Sequence, residues 1–510
     1  MRVHLINPSH TSFGVAVITP RWLFVLAAAT PREFGAPHII DETLEPLDPS
    51  AISAGDIVGI GIHTGNALRG YAIGKLAKAR GAKVIYGGIH ATLFPEEPIT
   101  EGAADAVVCG DGDVVWSQVV RDGVSGLLQR RYEAGQVPGD QMLPARWDLI
   151  QCDKYMWASV QTVRGCPKHC SFCSVWRTDG QKPRQRTADV VVEEVVALRR
   201  LGFRFIALAD DNFYPVTLAD LATAARREDK TRLHELQAMR EERLDLMRRL
   251  AQLPGDLVFY TQITMEAGDD PEFLTAMHDA HILGALVGVE SITPEGLKDV
   301  YKGFNASGDD LVASLRRFRE HGIHVLGSFI FGLPSDRIDT FAATAALAEK
   351  ADVTFAQFVM LTPFPGTVDF DKWAAQADAE GRNVEGMPLS RHWLIPDHKR
   401  PRVYVEHPTL SPDDIRTHTQ KTWDLFYSLP AVWKRSACTP SLKARLVFML
   451  VSKLYRQMYA NTGITTDSGR VARSVKWARL LAAPLQRLFA AKPMPNLQVP
   501  ESTIQIRVSA

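Results

Sequence analysis

The sequence has little cysteine, no net charge and no long hydrophobic run, and each lack excludes a class of protein. Its six cysteines include three within eight residues, which is not the framework of a disulfide-stapled extracellular domain. No apolar run approaches the roughly 20 residues of a membrane span, and the first residues lack a signal-peptide layout. The 58 basic and 58 acidic residues balance, so overall charge does not favour nucleic-acid binding. We therefore expect a protein of the reducing cytoplasm.

What is present is the composition of a large globular chain. Hydrophobic residues make up 46% and charged residues 23% of the 510 positions, which excludes intrinsic disorder. This length predicts about three domains. We expect an α/β chain with a Rossmann-like (flavodoxin-like) domain at 1–140, a linker at 141–159, a partial TIM-like barrel at 160–367 and a mostly helical, basic region at 368–510.

The first 140 residues alternate short apolar strands with helix patterns. Strands are predicted at 3–7, 57–63, 83–87 and 106–109, with a helix at 67–79. Repeated β-α-β units give a parallel sheet, whose ligands bind at the carboxyl ends of the strands. The turns at those ends are residues 7–9, 63–66, 87–90 and 110–113.

A second α/β series follows the linker. Its predicted strands are 160–163, 205–209, 258–264, 285–290, 325–331 and 355–361, with helical stretches between them. Six β/α units with no return hairpin predict a partial (β/α)6 barrel rather than a flat sheet. A charged stretch at 226–249 lies in a long crossover helix predicted at 218–250, and we expect its charges to form a solvated face.

Three cysteines form the most informative cluster in the chain. Cys166, Cys170 and Cys173 have the spacing C-x3-C-x2-C and follow the first predicted barrel strand. Three thiolates can ligate three irons of a [4Fe–4S] cluster, which leaves the fourth iron open to a small molecule. Two alternatives remain: a structural zinc site with His169 as fourth ligand, and unmodified buried thiols.

This loop, with Phe172 just before the third cysteine, resembles the signature of the radical S-adenosylmethionine (SAM) superfamily. The resemblance covers about residues 160–367 and implies that the open iron binds SAM, whose cleavage gives a 5′-deoxyadenosyl radical. The SAM-binding positions that it implies are Phe172, Asp210, Asp211, Asn212, Glu290, Ser291 and Pro363. Each later motif also has a plain structural alternative: a helix cap for the aspartates, a salt bridge for Glu290, and turns for the Gly-Pro segments.

The first domain resembles the cobalamin-binding domain that precedes such barrels. The matching segments are 56–62, 87–97 and 105–113, and the cobalamin positions that they imply are Ser9, Thr64, Asn66, Gly87, Gly88, His90, Gly110 and Gly112. One departure concerns the cobalt ligand, because the string D-x-H-x-x-G occurs only at 279–284, inside the barrel, where we take it as coincidence. A different nucleotide-like ligand, or no ligand, is the alternative for this domain.

The C-terminal region is strongly basic although the whole chain is neutral. Residues 431–492 hold twelve basic residues against a single acid, Asp467. On a helix, Arg470, Arg473, Lys476 and Arg479 would spread over one half, which would attract anionic lipid. We therefore expect either a peripheral contact with the inner face of the membrane or helices that pack on the barrel with exposed cations. No motif indicates nucleic-acid binding.

The whole-chain layout, including residues 453–464, is similar to that of hopanoid C-3 methylases. The resemblance implies a cobalamin-dependent radical SAM methyltransferase that methylates an unactivated sp3 carbon of a hopanoid lipid at C-3, with electrons from a flavodoxin- or ferredoxin-type donor. Alternatives within the family are a tetrapyrrole side-chain methylase and the Mg-protoporphyrin ester oxidative cyclase. Outside it are a corrinoid and iron–sulfur protein without radical chemistry and a zinc-binding interaction protein.

Overall fold

The computed structural model describes residues 1–401, 403–461, 486–487 and 490–500. The strands in these ranges are β1 (Val3–Asn7), β2 (Ala16–Ile18), β3 (His38–Asp41), β4 (Ile57–Gly61), β5 (Lys83–Gly87), β6 (Ala106–Gly110), β7 (Arg131–Gly135), β8 (Tyr155–Val160), β9 (Val163–Arg164), β10 (Arg184–Gln185), β11 (Phe205–Leu208), β12 (Val258–Ile263), β13 (Ile282–Glu290), β14 (His324–Phe331), β15 (Phe355–Met360), β16 (Asn383–Val384) and β17 (Met387–Pro388).

The α-helices of the same ranges follow the strands in alternation as far as β15. They are α1 (Arg21–Ala29), α2 (Ala67–Ala79), α3 (Ile89–Leu93), α4 (Glu97–Gly102), α5 (Trp116–Ser125), α6 (Val175–Thr178), α7 (Ala188–Arg200), α8 (Leu218–Arg226), α9 (Lys230–Leu250), α10 (Pro271–Asp279), α11 (Pro294–Asp299), α12 (Gly308–Glu320), α13 (Ile338–Lys350), α14 (Val368–Ala379), α15 (Pro412–Phe426), α16 (Leu429–Arg435) and α17 (Leu442–Asn461).

The first sheet has six parallel strands in the order β3-β1-β4-β5-β6-β7. Its central strands are buried on both faces, which explains why they appear in the sequence as continuous apolar runs. The Rossmann-like layer fold is therefore confirmed. The sequence analysis missed β3 and β7, because these edge strands are short and carry polar or exposed residues.

The second sheet is an open, curled, all-parallel half-barrel in the order β15-β14-β13-β12-β11-β8-β2. The predicted partial barrel is confirmed, and it gains a strand that the sequence analysis missed. That strand, β2, comes from residues 16–18 and pairs with β8 at the barrel edge. A boundary at residue 140 therefore does not separate the two sheets, since the chain enters the second sheet before it completes the first.

Two expectations about the barrel need correction. The first barrel strand is β8, which ends at Val160, whereas the analysis predicted 160–163. The predicted crossover helix 218–250 is two helices, α8 and α9, and the charges of α9 do not all face solvent. Arg243 is buried, and its guanidinium donates to the Thr162 hydroxyl at 2.5 Å, because α9 packs directly against the strand ends.

The region after residue 367 packs in two places. Phe370, Trp373 and Trp393 join the core of the first sheet, whereas Trp423 of α15 packs edge-on against Phe358 of β15 in the barrel. No helix among the described residues is long and apolar enough to cross a bilayer. The basic segment around Arg470, Arg473, Lys476 and Arg479 lies outside the described residues.

Candidate functional site

The cysteine loop lies at the carboxyl end of the half-barrel and lines a cavity of about 300 Å³. Gly165 opens the loop with φ +87°, and a Cβ there would lie 2.8 Å from the Gly180 carbonyl oxygen. The Cys166 amide donates to the Gly180 carbonyl at 3.1 Å, and the Trp176 indole donates to the Cys170 carbonyl at 3.0 Å. These bonds hold a loop whose three thiols all line one cavity.

The donor set fits an iron–sulfur cluster better than a zinc ion. Burial raises the pKa of the Cys170 thiol to about 11 and that of Cys173 to about 12, so both need a metal to ionise them near neutral pH. Among the described residues, no three His, Cys, Asp or Glu side chains converge on a single ion position. A cubane does not require such convergence, because each iron takes its own thiolate. His169, the fourth ligand of the zinc alternative, is exposed and does not line the cavity.

The structure separates the three polar residues after β11. Asp211 lines the cavity and accepts from the Gly165 amide at 2.7 Å, and burial raises its pKa to about 7. Asp210 is buried and accepts from the Thr162 hydroxyl and from the amides of Thr162 and Val163. Asn212 bridges to the backbone of Tyr214 and Thr264. Asp210 and Asn212 therefore hold strand ends together and do not line the cavity, where the sequence analysis had expected them.

Glu290 lines the cavity in a strained backbone conformation. It has φ +67°, which is uncommon outside glycine, and it lies at a register shift between β13 and β14. Its carboxylate accepts from the ammonium of Lys302 at 2.8 Å, and that ammonium also donates to the Gly288 carbonyl at 2.9 Å. Burial opposes the charge of Lys302, but Glu290 and the nearby Cys170 outweigh it and raise the lysine pKa. The pair places a buried cation beside the cysteine loop.

Sequence reasoning missed most of the other residues that line the cavity. Polar lining comes from Lys168, Gln262, Thr264, Lys302, Ser328 and Thr362, and apolar lining from Ile263, Leu286, Phe304, Ile330, Val359, Met360, Leu361 and Phe364. Phe172 lines the cavity as expected. Alternation along the barrel strands could have identified the strand residues, but no local motif marks Lys302.

Two predicted SAM positions lie outside this lining. The Ser291 hydroxyl accepts from the Thr293 amide at 3.3 Å and helps to form the turn before α11. Pro363 is buried, and its carbonyl contacts the His392 ring at 3.4 Å. Both residues support the rim of the cavity.

The carboxyl edge of the first sheet is built mainly from backbone. Gly88 and Gly110 are exposed there, with φ +92° and +87°. The Thr92 hydroxyl joins their turns, since it donates to the Gly88 carbonyl at 3.1 Å and accepts from the Gly110 amide at 3.0 Å. Gly87 and Gly112 lie in the same two turns. This side-chain-poor edge is a surface that a flat macrocycle can approach closely.

The polar residues predicted at this edge bond mainly to the protein. Asn66 caps its own turn through the His63 amide and the Pro8 carbonyl, and the Ser9 hydroxyl accepts from the Thr11 amide. His90 is fully buried, with one ring nitrogen 2.9 Å from Glu97 and the other 3.1 Å from the Thr64 hydroxyl. The structure therefore does not present His90 to a ligand on the exposed edge.

Three other histidines differ in their distance from this edge. His10 and His63 are exposed near the carboxyl edge of the first sheet. His281, from the D-x-H-x-x-G string, precedes β13 at the amino end of the barrel, opposite the cavity. That position agrees with its interpretation as coincidence.

The carboxyl edges of the two sheets face each other. Asp111 follows β6, and its carboxylate accepts from Arg184 at 2.5 Å and pairs with Arg164 of the cysteine loop at 3.0 Å. At a second contact, Gly366 of the barrel lies close to Leu93 of α3, since a Cβ added to Gly366 would be 3.1 Å from the Leu93 side chain. These contacts place the exposed glycine turns of one sheet beside the cavity of the other.

A cysteine loop with this spacing at the carboxyl end of a parallel half-barrel is the arrangement that the resemblance to radical SAM enzymes implies. The model of the radical SAM superfamily matches residues 160–348. An uncharacterized methyltransferase of Pyrococcus horikoshii is 30% identical over 404 residues, which cover 72% of this chain and 82% of that protein. The chain belongs to the radical SAM superfamily of enzymes.

Other relatives have known substrates. Bacteriochlorophyllide d C-12(1)-methyltransferase of Chlorobaculum tepidum is 28% identical over 383 residues, covering 72% of this chain and 77% of that enzyme. Hopanoid C-2 methylase of Rhodopseudomonas palustris is 26% identical over 247 residues, which span only 48% of this chain and 41% of that enzyme.

Two solved structures share the whole-chain fold. The methyltransferase TsrM of Kitasatospora setae, solved with cobalamin and a [4Fe–4S] cluster, has a TM-score of 0.62 at 18% identity and covers 89% of this chain and 99% of its own. The cobalamin-dependent enzyme OxsB, solved with aqua-cobalamin and SAM, has a TM-score of 0.65 at 12% identity, with coverage of 96% and 79%. The arrangement of a first sheet before a half-barrel is therefore common to all three chains.

Proposed function

We propose that this protein is a cobalamin-dependent radical SAM methyltransferase that acts on an apolar polycyclic substrate. The observation that carries the proposal is the arrangement of the two carboxyl edges. A glycine-lined edge with little side-chain cover lies against a cavity lined by three cysteines, so a macrocycle and a cluster-bound cofactor could both reach one substrate. When bound, the cluster and SAM supply a hydrogen-abstracting radical, and cobalamin supplies the methyl group.

In this proposal, the chain's own residues bind the cluster and SAM and orient them. Cys166, Cys170 and Cys173 would hold the cluster, and Asp211, which also lines the cavity, supports their loop by accepting from the Gly165 amide. The ammonium of Lys302 lies beside the loop and is suited to an anionic group such as the SAM carboxylate. We propose Glu290 and Phe172 as further SAM contacts from the same cavity.

The apolar wall of the cavity argues for the substrate class. Ile330, Val359, Leu361 and Phe364 lie on the side formed by β14 and β15, and Phe364 is half exposed at the mouth. Such a wall binds hydrocarbon and excludes water from a reactive radical. We propose a hopanoid lipid methylated at C-3 as the substrate, with the relative that methylates hopanoids at C-2 as support. A relative that methylates bacteriochlorophyllide makes a tetrapyrrole the second candidate.

The test is anaerobic reconstitution with iron, sulfide and cobalamin, followed by mass spectrometry with each substrate class. A reducing flavodoxin or ferredoxin supplies electrons. The proposal expects 5′-deoxyadenosine, S-adenosylhomocysteine and a hopanoid in which a methyl group replaces one hydrogen, a mass gain of one CH2. Deoxyadenosine without S-adenosylhomocysteine would indicate a cyclase-like reaction and reject methyl transfer. A methylated tetrapyrrole with unchanged hopanoid would keep the enzyme class and reject the lipid substrate.

A further inference from the structure

Helix α17 has a second apolar stripe that the proposed function does not use. Phe448 and Ser452 face inward, where Phe448 packs against Phe355 with ring centroids 5.3 Å apart. On the opposite side Leu442, Leu446, Val447 and Leu450 are between 45% and 64% exposed. Their spacing places all four on one face of the helix. Large apolar side chains clustered in this way mark an interaction surface.

Helix α16 extends the stripe. Leu429 and Trp433 are 59% and 41% exposed. The guanidinium of Arg445 in α17 lies 4.0 Å from the centre of the Trp433 ring and donates to the Trp433 carbonyl at 3.1 Å. This contact ties the two helices together and makes their exposed residues neighbours. We call the six apolar residues on these helices the α16–α17 surface.

The charges carried by α16 and α17 themselves are all of one sign, and two of them, Arg435 and Arg456, pair with Glu349 and Asp424 of neighbouring helices. Residues 425–461 contain six basic residues and no acidic one. Lys434 of α16 and Lys443 of α17 are exposed among the apolar side chains. A second copy of the chain packed here about a two-fold axis would bring these cations against each other. An anionic bilayer complements both features, because its headgroups attract lysine and its acyl boundary accepts leucine and tryptophan.

We propose that the α16–α17 surface binds the anionic surface of a lipid bilayer. Phe355, against which α17 packs, is the first residue of β15, so the surface lies near the amino end of that strand. The cavity opens at the opposite, carboxyl end. Bilayer binding therefore tethers the enzyme without occupying its cavity. The inference is independent of the proposed reaction, and either can fail alone.

The test is co-sedimentation of the full chain with vesicles of phosphatidylcholine alone or with added phosphatidylglycerol. We expect binding only where phosphatidylglycerol is present, and weaker binding at higher salt. Two double variants, L446S/L450S and K434Q/K443Q, should each weaken binding roughly tenfold or more. The matched controls are L127S, at an exposed leucine of the first domain, and K75Q/K230Q, at exposed lysines of other helices. Both controls should bind as the wild type does.

Three results would overturn the inference. Equal binding to both kinds of vesicle would show that the surface does not require anionic lipid. Wild-type dimers that become monomers in L446S/L450S would assign the surface to a second copy. Amide hydrogen exchange at 442–451 that is equally slow with and without vesicles would show that the chain itself covers the surface. The expected result is protection that appears only with anionic vesicles. Unfolding midpoints of all variants should match the wild type, since the substituted side chains are exposed.

Discussion

The barrel cavity and the carboxyl edge of the first sheet face each other, yet they are built in opposite ways. The cavity presents side chains: three thiols, the Lys302–Glu290 pair and an apolar wall. The edge presents backbone, because Gly88 and Gly110 are exposed while His90 turns inward. We therefore expect substitutions that remove a functional group to impair the cavity most. Substitutions that add a methyl group, such as glycine to alanine, should impair the edge most.

The largest expected effect is at a cavity cysteine. Cys170→Ala removes one of three thiols from a cluster that has no spare protein ligand in the proposed site. We expect iron and sulfide content after anaerobic reconstitution to fall well below full occupancy, and 5′-deoxyadenosine formation to fall to background. The control is Cys438→Ala, at a partly buried cysteine outside the cavity lining. Full cluster content in Cys170→Ala would contradict the assignment.

The next effect concerns the buried ion pair. Lys302→Met leaves the buried Glu290 carboxylate without its ammonium partner, whereas the Gly288 carbonyl keeps the Asn305 amide as a donor. Breaking a buried pair from one side costs about 3–5 kcal/mol, so the free energy of unfolding should fall by that amount. Chemical denaturation of the protein without cofactors measures it.

Two further variants sharpen this test. Adding Glu290→Gln to Lys302→Met removes the unpaired charge and should restore part of the lost stability. Lys168→Met breaks the Lys168–Glu266 pair of the same cavity, whose side chains are 15% and 19% exposed, and should cost less than Lys302→Met. Equal losses in the two lysine variants would show that burial does not distinguish the pairs.

A smaller effect is expected where the two regions are joined. Asp111→Asn weakens the bonds from Arg164 and Arg184, which connect the first sheet to the cysteine loop. Charged hydrogen bonds of this kind contribute about 1.5–3 kcal/mol, so unfolding should become easier by roughly that amount. Asp140→Asn, at an exposed residue just before the linker, should leave stability unchanged.

The ion pairs of Asp111 also predict how the stability of the protein depends on pH. Burial opposes ionisation of Asp111, but Arg164 and Arg184 outweigh it and hold the carboxyl pKa below its usual range. A lowered pKa in the folded state adds stability above the unfolded value of about 3.9, and this contribution is lost as pH falls through the folded pKa. The stability difference between wild type and Asp111→Asn should therefore be full at pH 7 and shrink below about pH 4. A difference that grows as pH falls would contradict this sign.

Most of the fold could be predicted because its signals are local. Central strands such as β4 and β5 are buried on both faces and stand out as apolar runs. Strand β2 could not be predicted, since three residues are too few to show a period and the residues of β8 that they pair with lie 139 positions further along the chain. The burial of Arg243 could not be predicted either, because the sequence of a highly charged helix does not indicate which arginine will pack against the barrel.

The residues of the candidate site likewise divide into those that the sequence could predict and those that only the folded structure shows. The cysteines share one loop, so their spacing alone brings them together, and Phe172 follows from that loop. Lys302 depends on a turn twelve residues after Glu290, whose direction only the folded chain sets. Asp210 and Asp211 are adjacent in sequence, yet one is buried in the strand ends and the other lines the cavity. Which neighbour faces a cavity is a matter of packing.

The glycine edge gives the smallest effect and the most direct test of the contrast with the cavity. Gly88 has φ +92° and ψ 177°, and an added Cβ would lie 2.6 Å from the Ile62 carbonyl oxygen, so Gly88→Ala should cost about 1–3 kcal/mol of stability. Gly87→Ala is the matched control, because its Cβ would have no neighbour closer than 3.9 Å. Thermal unfolding measures the loss of stability caused by the strain. Cobalamin titration of both variants measures how tightly the edge binds cobalamin. If Gly87→Ala weakens cobalamin binding while it leaves stability unchanged, the exposed backbone is the binding surface. If neither variant changes binding, the ligand does not approach these turns.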